Sequence, residues 1–372
     1  VLNKTVKLIG ESKETTVVES TSILVYADNT VIKGFRIQVE SASFAFLICP
    51  AFASFEPGNV SLTPPPAGNL VENNNIICYG GVVGIGMWSA TNNIFQGNNI
   101  QVRAWTGIDL SRLRLLTVYG PVTGPPSSGN VIETNIMACP NVYDVVGIGD
   151  GSLNNTVRNN IIVGFGVPHG IYLYECENNT IVGNRISIGW GAGIRLFNNA
   201  SKNTICGNRI EGNHDGVSLG WFSSNNKFYH NDFVNNTIQV STDDSTNIWD
   251  DAYPSGGNYW SDYNGSDLYG GPGQDLLGSD GIGDTPYVIN AYNRDRYPLM
   301  NLFVPPPSTY ALTITTYGYG TTDPAPGTYG YTVNTTAQIT AIPGTGSVFD
   351  HWELDNLNVG SVNPYSFLMD KD

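Results

Sequence analysis

Residues 178–186 read Asn-Asn-Thr-Ile-Val-Gly-Asn-Arg-Ile, and residues 202–210 read Lys-Asn-Thr-Ile-Cys-Gly-Asn-Arg-Ile. The same frame is present in NTVIKGFRI ending at Ile37, NNIFQGNNI at Ile100, NNTVRNNII at Ile162 and NNKFYHNDF at Phe233. Its third-from-last position runs Phe35, Asn74, Asn98, Asn135, Asn160, Asn184, Asn208, Asn231, at spacings of 39, 24, 37, 25, 24, 24 and 23. Self-similarity at a fixed period of this size marks a repeat architecture. Two intervals carry insertions and the rest are regular.

A second motif keeps phase with the first. It reads Gly84-Ile85-Gly86-Met87, Gly107-Ile108-Asp109-Leu110, Gly170-Ile171-Tyr172-Leu173, Gly193-Ile194-Arg195-Leu196 and Gly216-Val217-Ser218-Leu219. Each has two alternating apolar positions, hence a short strand with one buried face. A unit of this length with two or three short strands and no helical stretch fits one coil of a parallel β-helix, stacked at about 4.8 Å per coil. Ile181, Ile186, Ile194 and Leu196 are expected to point inward. The recurring asparagine suits an inward turn position, where its amide bonds the next coil and builds a ladder. About eight coils are expected, and leucine-rich repeats are excluded by the missing Leu-x-x-Leu-x-Leu pattern.

Composition agrees. Charged residues are 13 %, while Gly (43) and Tyr (20) are plentiful, a mix for short strands and turns. The net charge of −15 argues against nucleic acid as a partner. The five cysteines, Cys49, Cys78, Cys139, Cys176 and Cys206, show no zinc spacing and are read as buried free thiols. Sequons begin at Asn3, Asn59, Asn154, Asn178, Asn199, Asn235, Asn264 and Asn334 and favour an extracellular location. No apolar run reaches transmembrane length.

The insertions, roughly Pro50 to Gly68 and Ser111 to Gly129, both follow the Gly-Ile-x-Leu strand. They are expected to leave one corner two coils apart and flank a groove. Trp88, Arg103, Trp105 and Asp109 are the candidate ligand residues there, since rings with a few polar groups suit a sugar face. An enzyme of this fold needs paired carboxylates, or carboxylates with calcium and a base. The outward positions Tyr172, Arg195 and Ser218, and Ile161, Arg185, Arg209 and Asp232, supply no such pair. His214-Asp215 comes nearest and reads as a polar turn. Asp280 and Asp284, in Asp280-Gly281-Ile282-Gly283-Asp284, are the candidate calcium ligands.

Past residue 240 the repeat gives way to an aromatic stretch, residues 241–303, which is expected to cap the open coil end. The coils together with GGNYWSDY (Gly256 to Tyr263), DGIGDTPY (Asp280 to Tyr287) and NRDRYPL (Asn293 to Leu299) resemble the NosD-like right-handed β-helix proteins of archaeal cell surfaces. The family name implies copper delivery. That is not carried over, because Met87, Met137, Met300 and Met369 are dispersed and copper sites want clustered His, Met or Cys.

Residues 304–309 form a Pro-rich linker. Residues 310–372 resemble the small β repeats of internalin-type surface proteins, through Pro326-Gly327-Thr328-Tyr329, Phe349-Asp350-His351-Trp352-Glu353 and Asn363-Pro364. Such modules imply a spacer or stalk, and the whole implies a chain that is all-β: a right-handed parallel β-helix at 1–240, its cap, the linker and the small β module.

The function expected from this reading is that of a non-enzymatic extracellular cell-surface structural protein. The strands that both ends lack relative to their families would let it self-associate head to tail into a filament. A glycan-binding adhesin is the alternative, and a polysaccharide lyase or hydrolase stands behind both. No cofactor is expected beyond calcium.

Overall fold

The computed structural model describes residues 1–372 except 20–21, 41–44, 51, 57–58, 81–82, 104–105, 112–113, 118–119, 244, 306–308, 333–334, 356 and 370–372. For strand residues 52–56, 59–61, 114–117, 120–122 and 309 it describes the backbone alone. Residues 1–303 form one compact unit and residues 304–372 a second.

The first unit is a parallel β-helix of nine coils, one more than the asparagine series counts. The extra coil is the first, where Lys7–Ile9, Val17–Glu19 and Ile23–Val25 carry no ladder asparagine. Each coil gives one strand to each of three parallel sheets. The first sheet runs from Lys7–Ile9 to Lys227–Tyr229, the second from Val17–Glu19 to Tyr259–Trp260, and the third from Ile23–Val25 to Ile238–Thr242. Alternation in three-residue strands such as Thr180–Val182 sends Ile181 inward. Register then stacks like on like: Val157, Ile181, Ile205 and Phe228 form one fully buried column.

Backbone polar groups at the corners need partners away from water, and two asparagine ladders supply them. One runs from Asn74 through Asn98, Asn135, Asn160, Asn184, Asn208 and Asn231 to Asn258. The other runs from Asn69 through Asn93, Asn130, Asn155, Asn179, Asn203 and Asn226 to Asn247. In each, one residue's backbone N–H and side-chain amide donate to the Oδ1 of the next coil's asparagine. The turn before the ladder that starts at Asn74 brings Gly183 to φ +66°, which glycine adopts without strain, while Asn159 and His230 hold the same turn position at φ +55° and +57°.

The aromatic cap closes the last coil. Trp249 stacks on Phe228 at 4.3 Å, and Trp260 is sandwiched between Phe233 at 4.3 Å and Tyr287 at 4.1 Å. The ladders end on cap residues: Asn258 donates to Asp295 Oδ2, and the Asn247 N–H donates to Asn293 Oδ1.

Asp295 is fully buried, and burial pushes its carboxyl up to about 7, despite donors from Asn258, Trp260 and Tyr297. An unfolded aspartate titrates near about 3.9. Between those values the folded chain holds a proton that the unfolded chain releases. The stability from this group is therefore present in acid and is lost as pH rises through about 7. Asp295→Asn removes this titration. The stability difference between wild type and this variant, from urea unfolding, is expected to be larger at pH 5 than at pH 8 by on the order of 2 kcal/mol. Equal differences at the two pH values would contradict it.

The second unit is antiparallel. Thr309–Ile314 pairs with Gly327–Thr332, and Thr336–Pro343 pairs with Gly320–Asp323 and Tyr365–Leu368. Trp352–Leu354 pairs with Leu357–Gly360. Its core is Leu312, Ile314, Ala337, Ile339, Trp352 and Met369.

Candidate functional site

Outward positions of the third sheet carry the chemistry. Residues in register on adjacent coils stand one strand spacing, about 4.8 Å, apart, so like residues stack. Register puts Tyr172 beside Arg195 and Tyr174 beside Phe197. An unbroken row of rings results. Tyr143 meets His169 edge-on at 5.0 Å, and His169 stacks on Tyr172 at 4.9 Å. Tyr172 lies 6.0 Å from Tyr174, Tyr174 stacks on Phe197 at 6.3 Å, and Phe197 meets Trp221 at 5.0 Å. The Arg195 guanidinium sits 4.8 Å over Phe197. Trp221 is 63 % exposed and Tyr143 40 %, so the row presents ring surface to solvent at both ends.

Two carboxylates stand at the head of the row. Asp109, half-buried, accepts from Trp88 Nε1 at 2.7 Å and Ser111 Oγ at 3.0 Å, both at Oδ2. Asp144, buried, faces His169 Nδ1 at 3.1 Å through Oδ1 and accepts from Thr106 Oγ1 at 3.4 Å through Oδ2. Gly147 lies between them. A Cβ built there would meet Asp144 Oδ2 and Thr106 Cγ2 at 3.5 Å and Asp109 Oδ1 at 3.8 Å, so the two carboxylates come near each other around a buried glycine. Burial pushes the Asp109 carboxyl up to about 6, opposed by the Trp88 and Ser111 donors and reinforced by the charges of Asp144 and Asp150. Burial also raises Asp144, against the hydrogen bond and charge of His169.

Of the sequence candidates, Trp88 and Asp109 come together, while Trp105 lies outside the described residues. Arg103 belongs to the second sheet. It covers the Tyr79 ring at 5.4 Å and lines a separate groove of about 450 Å³ with Gln101, Cys139 and Phe165. The expected corner is present: the hairpins Phe52–Glu56 with Asn59–Leu62 and Arg114–Thr117 with Gly120–Thr123 follow the third-sheet strands of the second and fourth coils. Asp144, which the motif positions do not single out, lies near Asp109. His214 and Asp215 are neighbours at 3.2 Å, with His214 exposed and away from this pair.

Asp280 and Asp284 both accept hydrogen bonds within the cap turns. Asp280 accepts from Gly271 N, Ile282 N and Gln274, and Asp284 from Leu268 N, Tyr269 N and Ser266. Their oxygens tie cap turns together. Among the sequons, Asn3, Asn154, Asn178, Asn199, Asn235 and Asn264 are exposed; Asn334 and the Asn59 side chain lie outside the described residues.

The sequence profile of the family described as periplasmic copper-binding protein (NosD) matches residues 125–265, and that of the divergent InlB B-repeat domain matches residues 310–372. A curated relative from Stutzerimonas stutzeri, described as "Probable ABC transporter binding protein NosD", is 34% identical over 162 residues, which is 39% of this chain and 34% of the relative. The chain thus spans about a third of that relative's length.

Similar solved structures include three. XylC in complex with xylose has 13% identity and a TM-score of 0.38, covering 52% of this chain and 35% of that one. A tailspike mutant of E. coli bacteriophage HK620 with a pentasaccharide has 9% identity and a TM-score of 0.31, covering 69% and 59%. The A-module of the Azotobacter vinelandii mannuronan C-5 epimerase AlgE6 has 11% identity and a TM-score of 0.29, covering 65% and 81%.

The residues do not fit copper. Met87 and Met137 are fully buried in the core, as are Cys49, Cys78, Cys139 and Cys176, and His169 is committed to Asp144. Among the described residues no three His, Cys, Asp or Glu side chains gather as a metal-holding group. The β-helix is thus similar to the NosD family over residues 125–265, and residues 310–372 are similar to the divergent InlB B-repeat domain.

Proposed function

We propose that this chain acts outside the cytoplasm as a glycan-binding β-helix, taking an extended polysaccharide along the third sheet from Tyr143 to Trp221. The observation that carries this is the row of rings in unbroken contact. Aromatic faces bind the apolar C–H faces of sugar rings, while Arg195, the tyrosine hydroxyls and Asn198, whose amide donates to Tyr174 Oη at 3.0 Å, bond the sugar hydroxyls. The net charge of −15 favours a neutral glycan over a polyanion. A periplasmic or surface location accords with the family description. The InlB-type module then serves as a spacer for display.

Affinity electrophoresis through gels holding galactomannan, xyloglucan or mixed-linkage β-glucan tests the reading. At least one is expected to retard the protein. Trp221→Ala and Phe197→Ala are each expected to weaken retardation about 10-fold, the value of roughly 1.4 kcal/mol per stacked ring. Retardation unchanged in both variants would overturn the aromatic row as the binding surface.

A further inference from the structure

The groove over the second sheet holds about 450 Å³, inside the range of about 300–1,000 Å³ usual for small-molecule sites. A small residue opens it. Register pairs Tyr79 with Arg103, Ala138 with Val163 and Asn99 with Ile136, which sets the outward Gln101 against Ala138. The Ala138 methyl leaves a dip between these longer neighbours. Along the helix axis Tyr79 and Arg103 stand before the dip, and Val163 and Phe165 after it. Phe165 is 82 % exposed, and the backbone on either side holds it in place. Its carbonyl accepts from Asn141 N at 3.0 Å, and Gly164 N donates to the Ser187 carbonyl at 3.2 Å.

Charge singles the groove out. Other outward cations of the coils are matched by carboxylates: Arg185 and Arg209 share Glu211 at 2.6 and 2.7 Å, Arg158 holds Glu133 at 2.5 Å and Lys202 holds Glu177 at 2.8 Å. Arg103 is exposed and lies 5.4 Å over the Tyr79 ring, and among the described residues its guanidinium meets no carboxylate and no hydrogen-bond acceptor. The chain has 32 Asp and Glu residues, yet among the described residues none lines this groove. A planar guanidinium with free donors matches a carboxylate in a two-point contact.

We propose that this groove binds a small aromatic monocarboxylate, with the carboxylate on Arg103 and the ring over Ala138 against Val163 and Phe165. The site stands apart from the third sheet and does not rest on the glycan reading. One cation suits one negative charge, and the net charge of −15 repels a polyanion. Gln101 and the Tyr79 hydroxyl are the other polar side-chain groups on the walls, too few for the hydroxyls of a sugar acid. The apolar faces of Ala138, Val163 and Phe165 suit a flat ring instead.

The test titrates the full chain with 3-phenylpropionate by saturation-transfer NMR, beside 3-phenylpropanol and glucuronate. 3-Phenylpropionate is expected to bind with a Kd below about 1 mM, and the alcohol and the sugar acid at least about 10-fold more weakly. Arg103→Gln should weaken 3-phenylpropionate at least about 10-fold. Ala138→Leu fills the dip, leaves Arg103 in place and should abolish binding. Both positions lie outside the core, and retardation by polysaccharide on the aromatic row should stay unchanged in both variants, which shows them folded whether or not the groove binds. Where no polysaccharide retards the wild type, urea unfolding makes the same check. Absence of binding, or binding unchanged by Arg103→Gln, would overturn the site. Equal binding of the alcohol would overturn the role of the charge, and tighter binding of glucuronate would overturn the aromatic ligand.

Discussion

Asn160→Ala is expected to lower the unfolding free energy of the β-helix by about 4 kcal/mol. Asn160 sits mid-ladder and is 1 % exposed. Its Oδ1 accepts from both the N–H and the amide of Asn135, at 2.9 and 3.0 Å. Its own amide donates to the Ile132 carbonyl at 2.8 Å and to Asn184 Oδ1 at 3.0 Å. Truncation strands two donors and one acceptor away from water, each costing about 1–3 kcal/mol when unpaired. Asn184 Oδ1 keeps the Asn160 N–H and loses less. Urea unfolding followed by circular dichroism reads the change. Asn99→Ala, at a half-buried strand position, is expected to stay within about 1 kcal/mol. Equal losses at the two positions would mean that the ladder does not hold the coils.

Trp260→Ala is expected to cost about 4 kcal/mol and to open the C-terminal end of the coil stack. The indole is 1 % exposed, lies parallel to Phe233 at 5° and to Tyr287 at 8°, and donates from Nε1 to Asp295 Oδ2 at 2.9 Å. Removing it leaves a cavity between two rings and takes one donor from a buried carboxyl. Trp260→Phe keeps most of the stacking and loses the N–H, so it should cost about 1–2 kcal/mol. Hydrogen exchange is the local readout: amides of Asp232–Val234 should lose protection before those of Ile161–Val163. Simultaneous loss in both strands would show that the cap is not a separate closing element.

The coil architecture was legible because one physical constraint repeats. Every coil must bury apolar side chains at the same points of its circuit, so Ile162, Ile186 and Ile210 recur in phase. The first-sheet ladder was hidden in the same quotations: Asn155, Asn179 and Asn203 follow residues in φ-positive turns, and the sequence alone does not tell a buried amide from an exposed one beside it.

The carboxylate pair was illegible for a sharper reason. In the fifth coil, Gly147-Ile148-Gly149 imitates the start of the Gly-Ile-x-Leu motif, yet register aligns Val146 with Ile108 and Gly147 with Asp109. The true frame is therefore two residues earlier than the motif suggests. That shift, behind the insertion at residues 111–129, is what brings Asp144 beside Thr106 and near Asp109. The aromatic row was half visible, since Tyr172 and Arg195 are motif positions, whereas Trp221 and Tyr143 lie just outside their strands.

The most direct measurement is a crystal structure of the chain with an oligosaccharide cut from whichever of the three polysaccharides retards it. The account predicts sugar rings stacked along Tyr172, Tyr174, Phe197 and Trp221. Sugar bound instead in the Arg103 groove of the second sheet, with the aromatic row bare, would contradict it.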